Sequence, residues 1–310
     1  MTYTIAHITD LHIPSPQKFE QGDKNIKRML GHLSWERNRK TKHLAKVLDA
    51  LREDLKELDP DYICITGDQT NLGLHNEFVA SEKWIDDLGV SEKRISVIPG
   101  NHDAYGPGFK QNFKKFWGKW MKSDDGVKEY PYIRRTGPVA IIGLSSAIRT
   151  LPFSAKGAIS KEQFKRLEQV LKKIGEEELP RIILCHHPIQ KGAAKRRKSL
   201  WFSKKIRNLL AKEGCELVLH GHNHKIHHDM IDGPNGSIPV LGAGSASYCS
   251  SGKKHTGHYQ IIAVDDKDFK KSKIMHRHYD RDEGKYTKGE TVSLYPQIEQ
   301  PATKDEEIDV

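Results

Sequence analysis

The chain lacks the features that would place it in a membrane or outside the cell. No apolar run approaches the roughly 18–20 residues that a membrane-spanning helix needs. Its four cysteines, Cys64, Cys185, Cys215 and Cys249, are scattered without CxxC spacing, which argues against a disulfide framework and a zinc–thiolate site. Cys64 and Cys185 fall in apolar runs and read as small buried hydrophobes. Met1-Thr2-Tyr3-Thr4-Ile5 leads directly into a strand pattern, with no basic segment and apolar stretch before it, so no export signal is read there. A cytoplasmic location is expected. There is no internal repeat and no Pro/Gly/Ser-rich linker, so residues 1–290 are expected to form one domain and 291–310 a tail, partly disordered.

What the chain has in excess is positive charge. Its formal net charge is +10, which suits an anionic partner: nucleotide, nucleic acid or acidic membrane. The basic residues gather in 24–46, 191–205 and 267–288, whereas 304–310 is acidic.

Short Ile- and Val-rich runs at 3–9, 62–66, 95–98, 139–144, 182–185 and 217–219 suit strands buried on both faces. Between them lie helical patterns. Leu44, Val47, Leu48, Leu51, Leu55 and Leu58 form one stripe, and Phe78, Trp84, Ile85 and Leu88 a second. Ser160 and Gln163 form a candidate capping box ahead of Phe164, Leu167, Val170, Leu171 and Ile174. This alternation predicts an α/β architecture. After Gly221 the pattern changes to consecutive strands at 238–241, 259–264 and 273–279, which predicts a second, more antiparallel sheet.

Five polar motifs follow the strand-like runs: Asp10-Leu11-His12, Gly67-Asp68-Gln69, Gly100-Asn101-His102-Asp103, His186-His187-Pro188 and His220-Gly221-His222-Asn223-His224. Asp10 and His12 stand two apart, as do His222 and His224. In extended chain such pairs point the same way and can converge on one ion. The two oxygens of Asp68 can bridge two ions, and Asn101 offers a neutral carbonyl. Every candidate sits at the carboxyl end of a strand, where α/β sheets bind ligands. Any one motif is weak evidence, but five ordered strand-end placements of the right chemistry indicate a two-metal site. His7, His32, His75 and His276 read as structural or surface residues.

The set resembles the calcineurin-like metallophosphoesterase family, with its DxH, GD, GNH[DE], strand-end His and GHxH pattern, from about Asp10 to His224. The resemblance implies a four-layer sandwich, two mixed β-sheets packed face to face with helices outside. It implies that Asp10, His12 and His224 bind one metal and Asn101, His186 and His222 a second, with Asp68 bridging. His186 is favoured over His187 as ligand, and His220 is expected to pack. His102 would stabilise the phosphate and protonate the leaving oxygen, with Asp103 holding its ring and keeping it protonated. Two cations roughly 3.5–4 Å apart would generate the hydroxide that attacks phosphorus in line. Oxygen and nitrogen ligands fit Mn²⁺, Fe²⁺ or Zn²⁺ without selecting among them.

The substrate must be sought in the insertions. Residues 24–40 combine seven basic side chains with Ile26, Met29, Leu30, Leu33 and Trp35 at helical spacing, an amphipathic pattern for an anionic membrane surface or an acyl-chain cleft. Residues 191–202 repeat the theme around Trp201 and Phe202. These segments lean toward a nucleoside-diphosphate lipid, as for UDP-diacylglucosamine pyrophosphatases, although the commonest branch of those has Arg where this chain has His102. A cyclic-nucleotide (cAMP) phosphodiesterase, similar to the class III enzymes with the GNHD form, is the alternative. A nuclease is disfavoured because no second nucleic-acid module or extended aromatic–basic groove is evident. A non-catalytic scaffold is disfavoured because every ligand position is filled.

Overall fold

The computed structural model describes residues 2–14, 19–20, 23, 25–250, 252 and 255–296. Two six-stranded sheets form its centre. The first is built on the parallel strands β1 (Tyr3–Ile8), β2 (Tyr62–Ile65) and β3 (Ile95–Val97). The second contains β4 (Tyr132–Thr136), β5 (Val139–Gly143), β6 (Arg181–Leu184), β7 (Leu217–His220), β8 (His227–Gly233) and β9 (Gly236–Gly242), in the order β4-β5-β6-β7-β9-β8.

The period-two alternation of each central strand explains the layers. Ile5, Tyr62 and Cys64 pack against Ile141, Ile182, Leu184, Leu217 and Leu219 between the sheets. Their neighbours Ala6, Ile8, Ile63 and Ile65 face the opposite way, onto α2 (Ala45–Leu58) and α3 (His75–Asp86). On the second sheet Ile142, Ile183 and Val218 likewise meet α5 (Lys161–Glu176) and α6 (Ser203–Glu213). The order helix, sheet, sheet, helix is the expected four-layer sandwich. Each fully buried leucine or isoleucine contributes about 1.5–3 kcal/mol, so strands with both faces covered are held firmly and their carboxyl ends form a rigid platform.

The helices follow their stripes. In α2, Val47, Leu48, Leu51 and Leu55 are buried, and the helix stops at Asp59, in a left-handed conformation (φ 39°) just before Pro60. Only half of the expected capping box on α5 forms. The Ser160 hydroxyl accepts from Gln163 N at 3.1 Å, but the Gln163 side chain turns away to pair with both backbone groups of Ser145.

The second sheet departs from the sequence expectation. Strand β9 joins β7 in parallel. By contrast, β10 (His255–Val264) pairs antiparallel with β1, and β11 (Lys273–Asp280) and β12 (Lys285–Ser293) extend that first sheet. Alternation along a strand reports which face is buried, not which edge it bonds, so the pattern could not show this crossing. Strand β12 (Lys285–Ser293) and the chain after it run past residue 291, where the tail is expected to begin. Leu294 is buried, and Tyr295 OH donates to Glu216 O at 2.9 Å. The rest of the tail, 297–310, lies outside the described residues, as does Lys24 of the basic segment.

The 24–40 insertion forms α1 (Ile26–Ser34), capped by the Asn25 side chain, and then a single π-helical turn over Trp35–Arg39. A short α4 (Phe109–Asn112) follows the third motif. No helix among the described residues is long and apolar enough to cross a membrane.

Candidate metal centre

All five motifs lie just past buried strands and converge. Ligand atoms of Asp10, His12 and Asp68 lie within 4.8 Å of one another, and so do those of Asp68, His186 and His222. Asp68 belongs to both groups, as a bridging carboxylate would. Asp10 Oδ1 is 3.1 Å from His224 Nε2 and 3.9 Å from His12 Nε2, and those two nitrogens are 3.2 Å apart. On the other side His186 Nε2 is 3.3 Å from both Asp68 Oδ2 and Asn101 Oδ1.

The surroundings fix which atoms face inward. The Thr9 hydroxyl and His222 N both donate to Asp10 Oδ2 at 2.9 Å, whereas the buried Oδ1 faces His224 Nε2, itself a candidate ligand nitrogen, at 3.1 Å. A buried carboxylate oxygen without a donor is costly unless a cation meets it. The histidines are oriented in the same sense. His12 directs Nδ1 to Thr70 O (3.1 Å), His186 directs Nδ1 to Thr66 O (2.7 Å), and His222 directs Nε2 to Lys198 O (2.9 Å). A ring nitrogen tied to a carbonyl donates its proton there, leaving the other nitrogen bare for a metal. The donor set therefore fits two divalent cations.

Backbone conformation departs from the expected extended geometry. Asp10, His12, Asp68, His222 and His224 all have positive φ, between 39° and 71°. The side chains converge through left-handed turns, a costly state for residues other than glycine. Nearby glycines make room for them. A Cβ on Gly221 would collide with the Thr9 hydroxyl and the Asp10 carboxylate, and one on Gly100 with the Asp68 carboxylate.

Electrostatics follow from this crowding. Burial alone would raise both metal-facing carboxyls, but His224 holds Asp10 below its ordinary value, and His186 and His102 hold Asp68 well below. Burial opposes charge on His186 too, yet Asp68 and Asp10 outweigh it and lift the imidazole to about 9. A cation needs the neutral ring, so below that pH it must displace a proton. Affinity at this position should therefore fall as pH falls, by about tenfold per unit between about pH 8 and 6. Calorimetric titration in buffers of differing ionisation enthalpy would detect the released proton, and a pH-independent affinity would remove His186 from the ligand set.

Two expectations need correction. Asp103 does not hold the His102 ring. Its carboxylate accepts from Asp68 N, Gly100 N, Thr70 N and the Thr70 hydroxyl, at 2.8–2.9 Å, knotting together the loops after β2 and β3. Burial and Asp68 push it up to about 7. The ring of His102 instead donates from Nδ1 to Asn71 O (2.7 Å), while Arg39 Nη2 lies 2.9 Å from Nε2. Burial and Arg39 press His102 down to about 3, which disfavours the protonated ring before anything binds. Asp103 is remote from it because the four loop donors take both of its oxygens.

The remaining histidines separate cleanly. His187 is tied to the Ser146 hydroxyl and Ala155 O, and His220 to Gly221 O and Gln190, so neither offers a free nitrogen to the centre. His7 bonds Thr66 and Gln260 between the sheets, and His276 pairs with His258. Sequence reasoning did not single out Arg39, which the π-helical turn places on His102, or Tyr105, stacked on the same ring at 4.9 Å. Nor did it single out Lys198, partly buried, whose ammonium is pushed below its ordinary value by burial against the opposing charge of Asp68 and Asp10. The only signal for Arg39 and Lys198 was the density of basic residues in the two insertions.

The fold and the paired ligand groups define a two-metal phosphoesterase. The chain belongs to the calcineurin-like phosphoesterase family, whose profile matches residues 3–226. It is accordingly a metal-dependent phosphoester hydrolase, and the family implies a dinuclear divalent centre. In fold it is similar to a dimetal phosphatase from Danio rerio, at 13% identity and a TM-score of 0.63, covering 94% of this chain and 99% of that one. It is also similar to a purple acid phosphatase from yellow lupin, at 13% identity and a TM-score of 0.57, covering 94% of this chain and 54% of the other. No curated protein matches the chain in sequence.

Proposed function

We propose that this hydrolase cleaves a pyrophosphate or phosphodiester bond in a nucleoside-diphosphate lipid. In this reading Asp10, His12 and His224 hold one cation, Asn101, His186 and His222 the other, and Asp68 bridges them. Bound there, Mn²⁺, Fe²⁺ or Zn²⁺ would activate a water and neutralise charge on the phosphoryl oxygens. The chain's own groups do the rest. Arg39 and Lys198 bring positive charge to the approach of an anion, and His102 with its neighbour Tyr105 lines that approach.

The observation that supports the lipid reading is a set of exposed apolar side chains on three joined segments. Lys27 Nζ donates to the Thr150 hydroxyl at 2.6 Å, tying α1 to the loop around residue 150. That loop is tied in turn to the basic one, by Ala155 N to Arg197 O (2.9 Å) and Trp201 N to Gly157 O (2.9 Å). Exposed along these segments are Ile26 (72%), Leu151 (80%), Phe153 (79%) and Phe202 (69%), with Met29, Leu33 and Trp201. Large apolar side chains beside many cations suit an acyl chain or the surface of an anionic bilayer.

The direct test is hydrolysis by purified protein with Mn²⁺ of a UDP-linked acyl sugar and of cyclic AMP. Activity on cyclic AMP alone would sink the lipid reading. In addition, Phe153→Ser with Phe202→Ser should raise the apparent KM for the acylated substrate by about tenfold or more, the transfer energy of a buried aromatic. A soluble aryl phosphodiester should be unaffected, and equal losses on both would count against the lipid reading.

A further inference from the structure

His43 belongs to none of the motifs, yet it closes one side of the metal centre. It precedes α2, where the chain is stitched to a distant segment. Leu44 N donates to Ser247 O (3.2 Å), Cys249 N donates to Lys42 O (2.6 Å), and His43 and Tyr248 form an antiparallel bridge. This anchoring leaves His43 5% exposed. Its ring centroid lies 4.8 Å from that of His12 and 5.9 Å from that of His224, edge-on to both. One nitrogen from each of the three rings falls within 4.8 Å of the others.

Its hydrogen bonding follows the pattern of the ligand histidines. His12, His186 and His222 each commit one ring nitrogen to an outer oxygen and leave the other facing the centre. His43 commits Nδ1 to the Ser247 hydroxyl at 2.7 Å, which leaves Nε2 for the interior. Ser247 lies 3.4 Å from the Ser245 hydroxyl, which donates to Asp10 O at 2.7 Å. The same short polar chain therefore positions both His43 and the backbone of ligand Asp10.

We propose that His43 is an additional ligand to the cation held by Asp10, His12 and His224, an inference that rests on the two-metal reading above. The two positions are then unequal. One offers three imidazoles with Asp10 and the shared Asp68, and the other two imidazoles with Asn101 and the shared Asp68. Imidazole favours zinc and iron, whereas carboxylate and carbonyl oxygens favour manganese. The His43 position should hold Zn²⁺ in preference to Mn²⁺ more strongly than the other.

The test measures metal binding rather than turnover. Metal-free wild-type and His43→Ala protein are titrated with Zn²⁺ and Mn²⁺ against a chromophoric chelator, with zinc-edge X-ray absorption at one equivalent of Zn²⁺ to count coordinated imidazoles at the position that prefers it. The variant should lose about tenfold or more affinity at one position, keep the other within about twofold, and show one imidazole fewer. His43→Gln, which returns an oxygen donor, should recover part of the loss. Unchanged affinities or an unchanged imidazole count would overturn the proposal. So would equal weakening of both positions together with a lower melting temperature of the metal-free variant, which would mark His43 as structural. A wild-type chain that bound no cation would overturn the two-metal reading as well.

Discussion

Asp68→Ala is expected to lower metal-dependent hydrolysis by at least about a thousandfold, while the protein stays folded. The size follows from position. Asp68 is the one carboxylate shared by both ligand groups, so its loss weakens two cations at once. Several kcal/mol of charge stabilisation on the phosphoryl group depend on that pair, and each 1.36 kcal/mol is a factor of ten. The structural cost is smaller. Asp68 Oδ1 accepts from His102 N at 2.7 Å, and losing that acceptor costs about 1–3 kcal/mol. Asp103, which braces the same loops through four donors, stays in place. Turnover with Mn²⁺ and the melting curve of the same preparation check the expectation together. Full activity in a folded variant would defeat the two-metal reading.

His102→Ala is the second large effect. General acid catalysis is worth about 10²–10⁴-fold, and the loss should be greatest for substrates with poor leaving groups. Activated aryl phosphodiesters, whose leaving oxygen needs no proton, should suffer less. The low proton affinity of the ring sharpens this contrast. Pressed down to about 3 by burial and Arg39, His102 is disfavoured as an imidazolium until a bound phosphoryl group changes its surroundings. A proton donor recruited in this way would show its loss only where the leaving oxygen is basic. Equal losses on both classes would leave His102 as a hydrogen-bonding group for the phosphate alone. Rates along a series of leaving groups of graded pKa would separate the two.

Much of this centre was legible in the sequence for a physical reason. Strands buried on both faces must end in turns, and residues just past those ends share one edge of the platform. That logic placed Asp10, Asp68, Asn101, His186 and His222 at one location without knowledge of strand pairing. Three things escaped it. The partner edge of β10 was hidden because alternation is blind to which neighbour a strand bonds. The acceptor role of Asp103 was hidden because backbone amides leave no trace in a motif. Arg39, Lys198 and His43 were hidden because tertiary contacts of the insertions bring them to the centre, and spacing along the chain says nothing about such contacts.

The left-handed turns at five of the seven candidate ligand positions have a consequence for how this chain can change over time. Left-handed backbone is less favourable for any side chain than for glycine, although aspartate and histidine tolerate it better than most. Glycine would be the cheaper occupant at every one of them. Cations bound by these side chains would return part of that cost. A descendant released from the need for catalysis would be pulled toward glycine or asparagine at these positions first, and would gain stability as it lost its metals. The residues at 10, 12, 68, 222 and 224 thus act as a record of whether a lineage still hydrolyses phosphoesters.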